Sequence, residues 1–466
     1  MDDHPTPDGD RDTDIVAVGG GAFGLAVAAT VAAAAPHLRV TVLERDVSQK
    51  SNAEIGSGSV IAAGTRLQAD AGVDDTPQVL AQDLIDKSHG RVDPVLVRTL
   101  AEESRHVVHW LIDDVGVPLE LATEARRIGH SQLRLHATPE RSGAGLIGRL
   151  RDHVKDLPNV DFRDRTPGTG LLHRDGAVTG VRAAVSDEIV PIIAGATVLA
   201  SGGFAADRDL VGEHIPAFVD APYIGVPGHL GDALRWTREL EAPVQDMQAY
   251  LGHGYVIDGD DIPASTRLNP GIMTGGGIMV NRLGQRFARE DQGYSEWAEV
   301  VRGQPGGVAI AIWDHDIHQS HAHSKMMVDA VAAGVLVGPS TVEELARTFG
   351  LASESLRGSI DTYNASVPTG VDVLGRRLMP RQLVPPLHGA RVTGAIVMSL
   401  GGLRVDTAGR VMGGGGDPIP GLYAGGAAAA GLSGGTADGY LSGAGLLMSL
   451  VFGRLVGAPL AGAETT

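Results

Sequence analysis

The amino-acid sequence predicts an α/β fold in which a Rossmann-like domain, split in the sequence, carries an inserted α+β capping domain. The chain opens with an apolar strand, a glycine turn, an Ala-rich helix and a second strand. Strand–glycine segments return after Gly394, whereas residues 236–364 hold more Met, Trp, Tyr and His. We therefore expect residues 13–235 and 365–466 to form the first domain and residues 236–364 the cap. Residues 1–12 are predicted to be a disordered acidic tail.

The opening strands and helix form a βαβ unit. Asp14–Val18 is a short apolar run before glycines, Ala22–Ala35 is Ala-rich and is followed by Pro36, and Val40–Glu44 is a second apolar run. Two strands joined by a helix within about 30 residues are parallel. The same reasoning predicts a strand pair within 160–185, a buried strand over 196–204 and strands over 396–398 and 421–426.

Composition and charge exclude several classes of protein. With 38 Lys+Arg against 56 Asp+Glu, the net charge of −18 disfavours nucleic-acid binding. Because the chain has no Cys, it has no disulfide, Cys-ligated zinc or iron–sulfur cluster of its own. The apolar stretch Ala444–Val456 is too short to span a bilayer and is predicted to be a buried helix. We expect no integral membrane segment and a cytoplasmic location.

A dinucleotide-binding motif lies between the first strand and helix. Gly19, Gly21 and Gly24 satisfy G-x-G-x-x-G, in which the glycines form the turn, admit the pyrophosphate and allow close helix–strand packing. Glu44 ends the next strand, where its carboxylate can accept ribose hydroxyls and disfavours a 2′-phosphate. Further glycine-rich segments, such as Asn52–Gly64, indicate a long ligand, which favours FAD over NAD.

Together these residues resemble the FAD-binding-2 family, which contains fumarate reductase and 3-ketosteroid dehydrogenase flavoproteins. The matching segments are Asp14–Gly21, Leu43–Arg45, Ser51–Ser59, Leu199–Phe204, Gly228–Asp232, Val280–Phe287, Gly401–Leu403 and Ile419–Ala424. The resemblance implies non-covalent FAD extended across the first domain, with a small-molecule substrate against the flavin ring at the cap. It also implies an external electron acceptor or donor.

The resemblance assigns cofactor-binding roles by position. The residues implied are Gly19, Gly21, Ala22, Phe23, Gly24, Glu44, Arg45, Asn52, Ser57, Gly58, Ser59, Ala200, Ser201, Gly202, Asp232, Gly425, Gly426, Gly445, Leu446 and Leu447. The last three are expected to direct backbone N–H groups to the flavin from a helix N-terminus, whose dipole stabilises the anionic reduced ring. The family often has Glu where this chain has Ala427.

The residues expected to act on substrate differ from those of fumarate reductases. Tyr294 stands where the resemblance places their catalytic Arg, and their other two arginines are also missing. Tyr294 and Tyr440 instead resemble the catalytic tyrosines of 3-ketosteroid dehydrogenases. We expect Tyr294 to remove the α-proton of a ketone, while Tyr440 and the Gly443 N–H donate hydrogen bonds to its oxygen and the β-hydrogen leaves as hydride to flavin N5. The two tyrosine roles could be reversed.

Other candidates have weaker signals. His253 and Tyr255 are expected near substrate, as is Arg134 in a stretch that also holds Arg127, His130 and His136; His388 is expected at the substrate entrance. The run His315, His318, His321 and His323 lacks metal-ligand spacing and predicts a solvated helix face. Two alternatives stay open: reduction of an unsaturated carboxylate or enone through Arg127 or Arg134, and a flavin subunit that passes electrons to a partner protein.

Overall fold

The computed structural model describes residues 11–123 and 126–462, which divide into two compact units. Unit 1 comprises the chain up to Ile215, Gly225–Tyr250 and the chain from Met398 onward; unit 2 comprises Pro216–Ile224 and Leu251–Val397. Residues 1–10 of the predicted tail lie outside the described residues, whereas Asp12 N donates to Ile193 O over 3.1 Å. The predicted domain limits stay predictions.

Strands and helices alternate along the described chain. The strands are β1 Thr13–Val18, β2 Val40–Leu43, β3 Val60–Ile61, β4 Glu120–Leu121, β5 Leu135–Ala137, β6 Val160–Arg163, β7 Gly168–Arg174, β8 Ala177–Val185, β9 Glu188–Leu199, β10 Val244–Gln245, β11 Tyr250–Ile257, β12 Ile278–Val280, β13 Val308–Asp314, β14 Val337–Ser340, β15 Leu387–Ser399, β16 Gly402–Leu403, β17 Arg410–Met412 and β18 Pro418–Ala424. The helices are α1 Ala22–Ala34, α2 Asn52–Ile55, α3 Arg66–Asp70, α4 Pro77–Lys87, α5 Pro94–Asp113, α6 Gly143–Lys155, α7 Arg208–His214, α8 Asp232–Trp236, α9 Gly271–Thr274, α10 Tyr294–Arg302, α11 His315–His321, α12 Lys325–Ala332, α13 Val342–Phe349, α14 Ser353–Ser366, α15 Ala444–Leu446 and α16 Phe452–Leu460. A π-helical turn, Leu447–Val451, joins the last two helices.

The main sheet of unit 1 has the strand order β17-β18-β9-β1-β2-β6. Strands β18, β9, β1, β2 and β6 are parallel, with Val16 paired to Thr41 on one side and to Thr197 on the other. Strands β7 and β8 form the predicted antiparallel pair, and β8 continues onto β9. The predicted parallel α/β architecture is confirmed.

Glycines allow the helices of unit 1 to pack closely, which explains how its core forms with few aromatic residues. Helix α1 is almost entirely buried and contacts α16. A Cβ atom at Gly453 would lie 2.7 Å from the Ala26 Cβ, and one at Gly457 would lie 2.8 Å from the Thr30 Cβ. The stretch Ala444–Val456 is helical and largely buried, as predicted. Among the described residues, no helix is long and apolar enough to span a membrane.

Unit 2 is built on an antiparallel sheet of order β11-β15-β13-β12, with β14 paired to β15. Its core contains the fully buried side chains of Trp297, Trp313 and Tyr363. A buried ion-pair network joins the guanidinium groups of two arginines to two carboxylates; its members are Arg286, Arg376, Glu290 and Asp372. The inserted part of the chain therefore has the α+β character that the sequence predicts.

Candidate active site

The glycine motif shapes the turn between β1 and α1. Gly19 has φ +115°, and a Cβ there would lie 2.3 Å from Ala200 O. A Cβ at Gly24 would lie 2.0 Å from Gly19 O, so a side chain at either position is excluded. A Cβ at Gly21 would instead meet only the Ser51 Cβ, at 3.8 Å. Gly21 therefore leaves open space at the N-terminus of α1, where a pyrophosphate can approach the backbone.

Glu44 is fixed at the end of β2 by the backbone around it. Its Oε2 accepts from Gly20 N over 2.8 Å, and its Oε1 accepts from Asp46 N over 3.0 Å. The carboxylate is thereby held beside the glycine turn, which is the position required to accept ribose hydroxyls.

Three more predicted cofactor residues surround a histidine that the sequence analysis missed. Arg45 forms an ion pair with Asp232 and donates to Gly228 O, while Asn52 Nδ2 lies 3.0 Å from His229 Nδ1. Burial and the charge of Arg45 lower the pKa of His229 to about 4, so its imidazole is neutral near pH 7. A Cβ at Gly202 would lie 2.5 Å from His229 Nε2. The motif Gly228–Asp232 contained the signal, because His229 is its one titratable side chain besides Asp232.

The remaining predicted residues of the first half of the chain form the wall of the same cradle. Ser57 Oγ and Ser59 Oγ lie 3.0 Å apart, and Gly58 at φ +66° packs against Gly143. The buried Ser201 Oγ has no hydrogen-bond partner within residues 11–123 and 126–462. A buried hydroxyl without a partner costs free energy, and a bound dinucleotide can supply that partner. The cradle therefore fits FAD.

The C-terminal segment contributes a second wall within unit 1. One narrow cavity there is lined by Ser399, Gly426, Ala427, Tyr440, Gly445 and Ser449, among others. Gly443, at φ +92°, caps α15, and its carbonyl accepts from the N–H groups of both Leu446 and Leu447 over 3.1 Å. Those two N–H groups are therefore hydrogen-bonded within the segment, and their contact with the flavin stays a prediction.

The Phe23 side chain packs against the backbone of Gly425. The Phe23 ring stacks on Phe452 with centroids 6.1 Å apart. A Cβ at Gly425 would lie 2.2 Å from the Phe23 ring. Gly425 is therefore required because the aromatic side chain occupies the space beside its backbone.

In unit 2, the predicted catalytic tyrosine lies beside the predicted substrate residue His253, which in turn contacts Tyr255. Tyr294 is the first residue of α10, and its ring centroid lies 5.4 Å from that of His253 on β11. The His253 and Tyr255 rings meet edge to face at 5.6 Å. Burial, with a contribution from Arg267, lowers the pKa of His253 to about 3. Burial raises the pKa of Tyr255, so its phenol, like the imidazole of His253, is neutral near pH 7.

Arg267 is a half-buried arginine of unit 2 that the sequence analysis did not single out. Its strand segment pairs with β11 through a bridge between Val256 and Arg267. The guanidinium interacts electrostatically with Tyr294 and with His253. No sequence motif marks Arg267, because this residue lies outside the regular strands in a segment without a glycine motif.

His130 supports the segment that contains Tyr440 and Gly443. Its side chain is 5% exposed, and its Nε2 donates to Ser442 O over 2.9 Å. Burial lowers the pKa of His130 to about 4, so the ring is neutral and donates through one nitrogen. This contact fixes the backbone directly before Gly443, which is the predicted donor to a substrate oxygen.

Arg134 has structural partners on all sides. The side chain is fully buried, with its Nε and Nη2 donating to Asp75 and its Nη1 to Asp83. A fully buried guanidinium that already pairs with two carboxylates is not accessible to a substrate. We therefore do not propose that Arg134 contacts substrate. Arg127 is exposed, and no contact among the described residues supports a substrate-binding role for it.

His388 lies in a stack of aromatic rings in unit 2. Its ring lies 4.2 Å from His318, nearly parallel, and 6.0 Å from Trp313. His315 Nδ1 lies 3.1 Å from His388 Nε2. The predicted solvated face is therefore wrong for His315 and His318, which pack on a distant strand. Within 11–123 and 126–462, no group of His, Cys, Asp or Glu has the arrangement of a metal site.

The buried histidines predict that the folded protein is less stable at acidic pH, and substitution of His136 tests this prediction. Burial lowers the pKa of His136 to about 4, while its Nε2 lies 2.9 Å from Thr65 Oγ1. Between the ordinary histidine pKa of about 6.5 and that value, the unfolded chain binds a proton that the folded chain does not. The free energy of unfolding should therefore fall as the pH falls, by about 1.4 kcal/mol per pKa unit for this residue.

To measure this effect, the unaltered protein and His136→Gln are each unfolded with urea at pH 7 and at pH 4.5, and the free energies of unfolding are compared. The variant should be less stable at pH 7 and should lose less stability on acidification. His37→Gln, at an exposed position, is the control. Equal losses in His136→Gln and in the unaltered protein would refute the assignment.

Comparisons with known proteins show the family to which the chain belongs. The family model described as "FAD binding domain" matches residues 14–445. The chain is 26% identical over 452 residues to a fumarate reductase (cytochrome) from Shewanella frigidimarina, covering 96% of this chain and 76% of that protein. It is also 26% identical over 461 residues to a urocanate reductase from Eggerthella lenta, covering 96% and 74%.

Solved structures show the same likeness. An open flavocytochrome c3 fumarate reductase aligns with a TM-score of 0.80 at 25% identity, covering 97% of this chain and 78% of that one. A 3-ketosteroid-Δ4-(5α)-dehydrogenase from Rhodococcus jostii RHA1, solved with 4-androstene-3,17-dione, aligns with a TM-score of 0.78 at 25% identity, covering 98% of both chains. The chain belongs to the FAD-binding-2 family and is an FAD-dependent oxidoreductase of the fumarate reductase and ketosteroid dehydrogenase type.

Proposed function

We propose that the protein catalyses α,β-dehydrogenation of a cyclic ketone, of 3-ketosteroid or similar polycyclic type, or the reverse reduction of the enone. The observation that carries the proposal is the position of Tyr294 at the start of α10, beside the neutral imidazole of His253. A phenol in that setting can exchange a proton with carbon. The end-to-end likeness to a ketosteroid dehydrogenase supports the same substrate class.

Each residue has one task in this proposal. FAD, when bound, accepts the β-hydrogen as hydride at N5. Tyr294 accepts the α-proton, so the C–H electron pair stays on the substrate as enolate. Tyr440 and the Gly443 N–H donate hydrogen bonds to the ketone oxygen, where this negative charge develops. An external electron acceptor or donor completes the cycle, and a cytoplasmic location remains a prediction.

A second candidate is reduction of an unsaturated carboxylate. The observation that favours it is Arg267, which makes no ion pair with a carboxylate among the described residues and could bind a substrate carboxylate. The urocanate and fumarate reductases among the relatives support this chemistry. No contact in either unit favours the third reading, an electron-transfer subunit without its own substrate.

A dye-coupled assay with matched substrate panels separates the two candidates. One panel holds saturated 3-ketosteroids with an artificial electron acceptor, and the other holds fumarate and urocanate with an artificial donor. We expect turnover on the ketone panel. Turnover on the carboxylates alone would replace the first candidate with the second.

A further inference from the structure

His229 lies between two segments of unit 1 that border the glycine turn. On one side is Asn52, the first residue of α2, which follows Ser51; the Ser51 Cβ is 3.8 Å from the Cβ position of Gly21. On the other side is Gly202, in the turn after β9, where a Cβ would lie 2.5 Å from His229 Nε2. Ligands of open parallel sheets bind beyond the carboxyl ends of the strands. The imidazole is therefore at the edge of the sheet where a dinucleotide binds.

The backbone on both sides of His229 is hydrogen-bonded to the turn that follows β9. Ala206 N donates to His229 O, and Gly231 N donates to Gly203 O, both over 3.0 Å. These two bonds join the segment that contains the histidine to the segment that contains Gly202. The position of the imidazole is therefore a property of the fold of unit 1.

The hydrogen bonds of Asn52 determine which ring nitrogen of His229 carries the proton. Val226 N donates to Asn52 Oδ1 over 3.2 Å, and since a backbone N–H can only donate, this contact identifies the oxygen of the amide. The amide nitrogen, Nδ2, lies 3.0 Å from His229 Nδ1 and can only donate to it. Nδ1 is therefore an acceptor, and the proton of the neutral imidazole is on Nε2.

The groups packed around the imidazole keep it neutral. Burial and the charge of Arg45 lower its pKa to about 4. Arg45 is the cation beside the ring, and it forms an ion pair with Asp232, the first residue of α8. Protonation of Nδ1 would also set its N–H against the Nδ2 hydrogens of Asn52. Near pH 7, His229 is therefore a neutral donor through Nε2.

We propose that His229 is a cofactor-binding residue that donates a hydrogen bond from Nε2 to an oxygen of FAD between the adenosine and the flavin ring. The oxygens of the pyrophosphate and of the ribityl hydroxyls both accept such a bond. Within residues 11–123 and 126–462, the imidazole has one hydrogen-bond partner, Asn52, so Nε2 is available to a ligand. The buried Oγ of Ser201, next to Gly202, has no partner in that part of the chain either. The proposal concerns FAD alone and does not depend on the substrate.

The test is the affinity of the apoprotein for FAD, measured by flavin fluorescence, in two variants that separate the ring nitrogens. The side-chain amide of Gln can place an N–H group near the position of His229 Nε2, whereas the shorter Asn reaches only that of Nδ1. We expect His229→Asn to weaken FAD binding roughly 5- to 100-fold, the range for one lost hydrogen bond. His229→Gln should keep most of the affinity, and His173→Asn, at an exposed position on β7, should change nothing.

Binding of ADP, measured by calorimetry with the same proteins, identifies the acceptor. Equal losses for ADP and FAD in His229→Asn would assign the hydrogen bond to the pyrophosphate. A loss for FAD alone would assign it to the ribityl hydroxyls.

Two results would overturn the proposal. One is an FAD affinity of His229→Asn equal to that of His173→Asn. The other is a loss in His229→Gln as large as that in His229→Asn, because the histidine would then act through Asn52 and not through Nε2. Thermal unfolding of each apoprotein checks that it is folded. If His229→Asn does not fold, His229→Leu, which also lacks a donor, takes its place with the same expected loss.

Discussion

Replacing Tyr294 by Phe is expected to lower kcat for ketone dehydrogenation by roughly 10²- to 10⁴-fold, the usual contribution of a positioned general base. Phe keeps the ring that packs at 5.4 Å from His253 but has no oxygen to accept a proton. The flavin should remain bound, because the residues of the glycine cradle are in unit 1 and Tyr294 is in unit 2. Steady-state rates and the visible flavin spectrum measure the two effects separately.

Tyr423→Phe is the matched control, because Tyr423 is a half-buried tyrosine on β18 with no proposed role in the reaction. It should retain turnover within a few-fold. Turnover of Tyr294→Phe equal to that of this control would remove Tyr294 from the mechanism. Loss of flavin together with activity would indicate a structural role.

Replacing Gly21 by Ala is expected to lower the affinity for FAD by at least about tenfold, the equivalent of about 1.4 kcal/mol. The apoprotein should tolerate the change, because a Cβ at Gly21 meets only Ser51 at 3.8 Å and Gly21 has an ordinary φ of −81°. The added methyl group would instead fill the space through which the pyrophosphate approaches the N-terminus of α1. Titration of apoprotein with FAD, followed by flavin fluorescence, gives the affinity.

Gly148→Ala provides the control for Gly21→Ala. Gly148 lies in α6 with open space around its Cβ position, so the same substitution there should leave FAD affinity unchanged. Thermal unfolding of both apoproteins checks that neither is destabilised. Unaltered affinity in Gly21→Ala would mean that the pyrophosphate does not pass over this turn.

Sequence reasoning predicts the glycine turn and its neighbours well, because the local backbone geometry there restricts which residues can be present. Gly19 and Gly24 are required because a neighbouring carbonyl occupies the Cβ position, and such requirements recur in a fixed motif. Glu44 follows from the length of the βαβ unit. The parallel arrangement of β1, β2 and β9 and the buried C-terminal helix are also confirmed. They too are encoded by local sequence patterns.

The parts that sequence reasoning misjudges depend on partners distant in the chain. The segment Ile396–Met398, predicted as a short strand, is the end of the long strand β15, which pairs with β13 and β14. Arg134 gave a polar signal, but its two aspartates lie more than fifty residues away. His318 stacks on His388, seventy residues further along the chain, which helix periodicity cannot reveal.

Arg267 and the hydrogen bonds of the helix N–H groups were missed for different reasons. Arg267 stands out because its buried Nε has no hydrogen-bond partner among the described residues, and that is visible only when its surroundings are known. Leu446 and Leu447 were expected to donate to a ligand from a helix N-terminus, but the carbonyl of Gly443 takes both of their N–H groups. In both cases the outcome depends on which groups are hydrogen-bonded in the folded chain. Residue type alone does not show this.

The central claim is that this flavoprotein oxidises a ketone with Tyr294 as base, and one measurement tests it most directly. The purified holoprotein is mixed anaerobically with a saturated 3-ketosteroid and the visible flavin band is followed over time. The account predicts bleaching of the band by the ketone in the unaltered protein and far slower bleaching in Tyr294→Phe. A flavin band that no saturated ketone bleaches, but that reappears when chemically reduced enzyme meets an unsaturated carboxylate, would contradict it.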